Sequence, residues 1–122
     1  MSYDDDNVFA RILRGEIPAD KVYEDDHVLA FRDIAGLAPV HILVIPKGRY
    51  VSMDDFTGKA SDAEVAAFFR AIGKIARDAG VAESGYRLVA NSGADARQEV
   101  MHFHFHILGG RKMWGIKPRG VD

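Results

Sequence analysis

A chain of 122 residues, 48% hydrophobic and 28% charged, has the length for one domain with a real core and the composition of neither a disordered nor a fibrous protein. Its 16 basic and 18 acidic residues leave a net charge of −2 without a basic block, which excludes nucleic acid as a natural partner but leaves room for a small ligand with one or two phosphates. The lack of cysteine excludes disulfides and thiol catalysis, and with no spanning apolar run and an acidic Asp4-Asp5-Asp6 start the chain is expected in the cytoplasm, off the membrane.

In chain order, Asn7 is placed to cap a short helix whose apolar stripe is Val8, Phe9, Ile12 and Leu13, with Gly15 ending it. Lys21–Glu24 reads as a strand, Asp25-Asp26 as a turn and His27–Asp33 as a second strand. Val40–Pro46 is almost wholly apolar and β-branched, which suits a central strand covered on both faces. Lys47-Gly48-Arg49 leads into what reads as a polar loop. Ser61-Asp62-Ala63-Glu64 is a capping box, and Val65, Phe68, Phe69, Ile72, Ile75, Ala76 and Ala79 recur at helical spacing, so a long helix is expected over 62–79. Gly85–Ala90 reads as a fourth strand. A polar connection over 91–98 joins it to a fifth that starts at Glu99 or Val100, the two forming an antiparallel hairpin. Residues 111–122 read as an irregular tail of a single domain spanning 1–122.

The expected fold is α+β: a five-stranded antiparallel sheet with one long and one short helix. The long helix should cover one sheet face and leave the other to an unusual strand. In His102-Phe103-His104-Phe105-His106-Ile107-Leu108, the period of two sets three histidines on one side and Phe103, Phe105 and Ile107 on the other. Same-face neighbours stand roughly 6.6–7 Å apart. Core packing has no use for such a ridge, though a polar strand face that merely uses histidine is the plain alternative. Zinc is a rival reading, since two histidines two apart on a strand can share an ion. Consecutive same-face rings are nearly collinear, however, and no acidic or cysteine cluster supplies a further ligand, so no metal is expected. Nucleophilic catalysis by the middle imidazole fits better. A neutral histidine nitrogen is competent near pH 7, and flanking rings can fix its tautomer and donate to a charged electrophile. A phosphoryl centre suits this best, because its transition state spreads negative charge over oxygens that nearby N–H groups stabilise.

The pattern His, apolar, His, apolar, His, apolar, apolar at 102–108 resembles the histidine triad (HIT) signature. The likeness extends to the Hint branch of that superfamily through Phe9, Ile12, Glu16-Ile17-Pro18, Glu24-Asp25-Asp26, Ala30-Phe31, Asp33-Ile34, Ala38-Pro39, His41, Leu43–Lys47, Asn91 and Leu108–Arg111. It implies a HIT-like homodimer whose sheets join across the interface. It also implies a purine nucleoside phosphoramidase that needs no cofactor and binds AMP, GMP or their phosphoramidates. By this resemblance His104 attacks the α-phosphorus, His106 bonds a phosphate oxygen, and His102 and His41 extend the imidazole network. Asn91 and Gln98 hold the phosphate and leaving-group bridge, Asp33 accepts the ribose hydroxyls, and Val8, Phe9, Ile12, Phe31, Ile34 and Leu43 form the slot for the base. Two positions depart from the branch. Glu99 replaces a hydroxyl residue found in animal members and is expected to turn outward or to pair with Arg97. Arg97 itself stands where glycine is common. A nucleotide-binding scaffold with vestigial catalysis and a dinucleoside polyphosphate hydrolase are the alternatives.

Overall fold

The computed structural model describes residues 2–34 and 36–115; the remainder of the expected tail, 116–122, lies outside the described residues. Helix α1 (Val8–Leu13) begins where Asn7 accepts the Ala10 N–H at 2.9 Å. It is left through Gly15 at φ +78°, a left-handed conformation that costs glycine little. Strands β1 (Lys21–Glu24), β2 (Val28–Arg32) and β3 (Val40–Pro46) run as an antiparallel meander. Strands β4 (Tyr86–Val89) and β5 (Phe105–Gly109) form the expected hairpin, with β5 inserted beside β3 to give the order β1-β2-β3-β5-β4. All pairings are antiparallel, as expected.

Alternation on the strands divides the core in two. Val28, Ala30, Ile42, Val44 and Ile107 face the long helix α3 (Asp62–Asp78), which starts on a complete Ser61–Glu64 capping box and buries Phe68, Ala71, Ile72 and Ile75. Leu29, Phe31, Leu43 and Ile45 face the opposite way and pack against Phe9 and Ile12 of α1. The central strand β3 is thus buried on both faces.

Two expectations need correction. The polar stretch after Lys47 contains a third helix, α2 (Met53–Lys59). Its start is held by the Asp55 carboxylate, which accepts the Val51 N–H at 2.8 Å, and its one fully buried anchor is Phe56. The ladder of the histidine strand also begins at Phe105, not at Glu99 or Val100. The last β3–β5 pair is Val44 with Phe105, so continuing the register would set Phe103 opposite Pro46, which has no N–H to give. The Phe103 N–H goes to the Tyr50 carbonyl at 2.7 Å instead. Among the described residues no helix is long and apolar enough to cross a membrane.

Candidate active site

The alternation of residues 102–107 survives the loss of ladder. Phe103 stacks on Phe56 and contacts Phe68 in the core beneath α3, and Phe105 follows it to the same side. The imidazoles lie on the other side: the His104 and His106 rings are 5.2 Å apart, and the edge of Phe9 meets His104 at 5.0 Å.

The hydrogen bonds fix the proton on each ring, because a backbone carbonyl can only accept and an amide N–H can only donate. The His102 carbonyl lies 2.7 Å from His104 Nδ1, so Nδ1 carries the proton and Nε2 keeps its lone pair. The Leu37 N–H donates to His41 Nδ1 at 3.0 Å, which puts the His41 proton on Nε2. That proton goes to His106 Nδ1 at 2.9 Å, leaving His106 Nε2 as an N–H donor. His102 donates from Nε2 to the Pro46 carbonyl at 2.7 Å and accepts the Tyr3 hydroxyl at Nδ1 at 2.6 Å. No buried side-chain nitrogen or oxygen lacks a partner among the described residues, so the two nitrogens without one, Nε2 of His104 and Nε2 of His106, are open to the space above them.

That space is a cavity of about 420 Å³, within the range of small-ligand pockets. His104 and His106 line it with Asp33 and Leu43 toward the β2 side and Asn91 and Arg97 toward the β4 side. Burial disfavours charge on every ring here. It takes His102 down to about 4, holds His104 below the ordinary histidine value, and lowers His41 against the opposing pull of Asp33. His106 is pushed down to about 4 by burial first and by its histidine neighbours second. All four are neutral at pH 7. The cavity therefore presents one bare nitrogen and one N–H side by side.

The HIT domain profile matches residues 14–113. The chain belongs to the HIT family. It is 58% identical over 119 residues to an uncharacterized HIT-like protein of Azospirillum brasilense, with 98% of each chain covered. It is 43% identical over 109 residues to the purine nucleoside phosphoramidase of Escherichia coli, covering 89% of this chain and 91% of that one. A histidine triad protein from Clostridium difficile superposes with a TM-score of 0.83 at 44% identity, over 95% of this chain and all of the other.

In this HIT site His104, His106, Asp33, Asn91 and Leu43 share the cavity, while His41 stands behind His106 and touches it alone of the triad. His102 has 0% exposure and both nitrogens engaged, so it acts as an internal strut. Gln98 is buried and does not line the cavity. Its amide donates to the Val51 and Val100 carbonyls and accepts the Gly93 N–H, holding the 91–100 loop in place. Phe9, Ile12 and Phe31 form a packed layer with Leu43, of which Leu43 reaches the cavity; Val8 is 40% exposed and Ile34 fully so.

Glu99 requires a correction. It neither turns away nor pairs with Arg97: both line the cavity, and the Glu99 carboxylate favours charge on His104 against the effect of burial. Three participants lacked a sequence signal. The Leu37 amide sets the His41 tautomer only through the fold of the 33–40 turn. Tyr3 reaches His102 across 99 positions, and Trp114 lines the cavity from beyond β5. Asp33, His41 and His106 each offer a ligand atom within 4.8 Å of the others, so this trio is where a divalent ion would sit. An ion there would displace the His41 proton that now joins the two rings.

Proposed function

We propose that this chain is a nucleotide hydrolase that cleaves the P–N bond of purine nucleoside phosphoramidates. The observation that carries the proposal is the pair of proton states in the cavity, a bare His104 Nε2 beside a His106 Nε2–H. An Nε2–P bond forms as the P–N bond breaks. The departing nitrogen takes a proton from water, and the resulting hydroxide attacks phosphorus, releasing His104 and a nucleoside monophosphate. One water is consumed and no redox partner or metal is required. The adduct makes the His104 ring cationic, and its Nδ1–H bond to the His102 carbonyl strengthens at that moment, as charge-assisted bonds do. His106 donates to a non-bridging oxygen, a donor already in place as negative charge develops. Asp33 takes the ribose hydroxyls, and Leu43 over Phe9, Ile12 and Phe31 offers the base an apolar wall.

Trapping with AMP phosphoramidate, followed by mass spectrometry of the peptide containing residues 102–106, tests this reading. A nucleotidyl adduct on His104 is expected; an adduct elsewhere, or turnover that depends on added zinc, would overturn it. The same reading includes a homodimer joined along β4. That edge strand exposes Tyr86 and Leu88, whereas the other edge, β1, begins and ends in the charged Lys21 and Glu24. Sedimentation at micromolar concentration should give twice the chain mass.

A further inference from the structure

Arg97 holds φ at +59°, and it is the one non-glycine residue in the left-handed region among those described. A β-carbon makes that conformation costly, and glycine would relieve it. The conformation is forced by a tight turn in which the Arg97 N–H donates to Ala94 and the Gln98 N–H to Gly93. The Gln98 side chain then pins the turn against Val51. The sequence thus keeps a long cationic side chain where the backbone asks for none.

Arg97 is exposed and lines the same cavity as His104 and His106. Among the described residues it makes no ion pair and no hydrogen bond, although eight other side chains of its type or of lysine pair with nearby carboxylates, Lys21 and Lys74 among them. Strain at the rim of a cavity together with a fork of donors that no protein group engages marks a side chain available to a ligand.

The strand order says which part of the ligand. Asp33 follows β2, two places to one side of β5, and the apolar wall of Leu43 and Phe31 lies on that same side. Asn91, Ala96 and Arg97 follow β4, on the other side of β5. A nucleoside bound toward Asp33, with its phosphorus over His104, directs the departing group toward Arg97. In-line displacement sets the departing nitrogen opposite His104 Nε2, and with the nucleoside occupying the Asp33 side the wall left to the rest of that group is the β4 side.

We propose that Arg97 selects substrates whose leaving group carries an anion, a carboxylate or a phosphate, close to the scissile nitrogen. This rests on the phosphoramidase reading and deepens it: the leaving amine is one that bears its own negative charge. Glu99 lines the same cavity, so an anionic leaving group is favoured only where it reaches Arg97.

The test uses four AMP phosphoramidates, linked through nitrogen to glycine, glycinamide, 2-aminoethyl phosphate and 2-aminoethanol. Glycine and glycinamide are nearly isosteric and differ in charge, while the second pair differs by the whole phosphate group. The wild-type chain should favour the anionic member in kcat/KM by about 10-fold, the lower end for a charge-assisted bond at an exposed residue. The ratio should fall to about 1 in Arg97→Gly and Arg97→Gln and be kept in part by Arg97→Lys. Arg97→Gly should melt no lower than the wild type, because it relieves the backbone. Whichever anionic member is preferred identifies carboxylate or phosphate as the group read. A wild-type ratio near 1, or one unchanged in the variants, overturns the proposal while leaving phosphoramidase activity intact. If none of the four is hydrolysed, the phosphoramidase reading itself fails, and the equilibrium dissociation constants of the same ligands decide Arg97 on the same ratio.

Discussion

On one side of residues 102–107, Phe103, Phe105 and Ile107 meet the aromatic and aliphatic side chains of α2 and α3; on the other, His102, His104 and His106 meet one another, His41 and a cavity. The two sides share a backbone and almost nothing else. The phenylalanine side fixes position, because Phe103 is packed between a stacked ring at 4.9 Å and a tilted one at 5.2 Å. The imidazole side fixes chemistry, because burial strips the rings of charge and carbonyl and amide partners choose which nitrogen keeps its proton. A neutral imidazole with one nitrogen facing a cavity is here the product of dry packing behind it and selective hydrogen bonding around it.

Deleting the centre of the imidazole side should separate the two most sharply. His104→Gly should lower kcat toward AMP phosphoramidate by about 10⁴-fold or more, as deletion of a nucleophile does. Its melting temperature should stay within a few degrees, since the phenylalanine side is untouched. Stopped assays and a thermal melt check both, and more than residual turnover would remove His104 as nucleophile. Phe103→Ala reverses the emphasis. Truncating a fully buried ring should cost about 3–5 kcal/mol in urea unfolding. Activity should fall with it as the catalytic segment loosens. A loss below about 1 kcal/mol would mean that the aromatic backing does not hold the segment.

The sequence was most legible where one physical signal dominated. The capping box and 3.6-residue period placed α3, and the unbroken apolar run of 40–46 placed β3 and its double burial. Strict alternation placed the imidazoles and phenylalanines on opposite sides even where no ladder holds them. Legibility failed where the determinant was non-local. Pro46 cuts the β3–β5 ladder short from a strand 56 positions away in sequence from His102, and only the register exposes this. Helix α2 has one buried anchor and a glycine in its last turn, too little periodicity to announce itself, though Ser52 followed three residues later by Asp55 was a usable cue. Gln98 and Glu99 could not be oriented from sequence either, because the loop between β4 and β5 has no period and its facing is set by hydrogen bonds to Val51 and Gly93.

Acid should weaken the imidazole side before the phenylalanine side. Native His102 titrates at about 4, against about 6.5 in an unfolded chain. Between those values the unfolded state binds more protons, so stability is full above pH 6.5 and falls as the pH drops toward 4. For this fully buried ring the loss is roughly 3 kcal/mol, and His106 titrates over the same window. Urea unfolding at pH 7, 5.5 and 4.5 measures it. His102→Gln should flatten the dependence, and a wild-type stability independent of pH across this range would show that burial does not hold the ring neutral.

The smallest effect lies at the one place where the imidazole side is closed rather than open. Tyr3 donates its hydroxyl to His102 Nδ1, and burial raises the Tyr3 pKa, so it is a proton donor at any working pH. The tyrosine is itself held by Arg49, whose guanidinium lies 5.0 Å from the ring centre and whose nitrogens bind both Asp5 carboxylate oxygens at 2.8 and 3.1 Å. Tyr3→Phe keeps the ring and the stacking but leaves a buried nitrogen without its donor, a loss of about 1–2 kcal/mol. The same cost could come from a slackened N-terminal segment, and a double-mutant cycle tells these apart. In a His102→Ala background no Nδ1 remains, so removing the hydroxyl should cost nothing further, and the coupling should equal most of the single-mutant effect. A coupling near zero would place the cost in the segment around Arg49 and Asp5, and would leave His102 held by Pro46 alone.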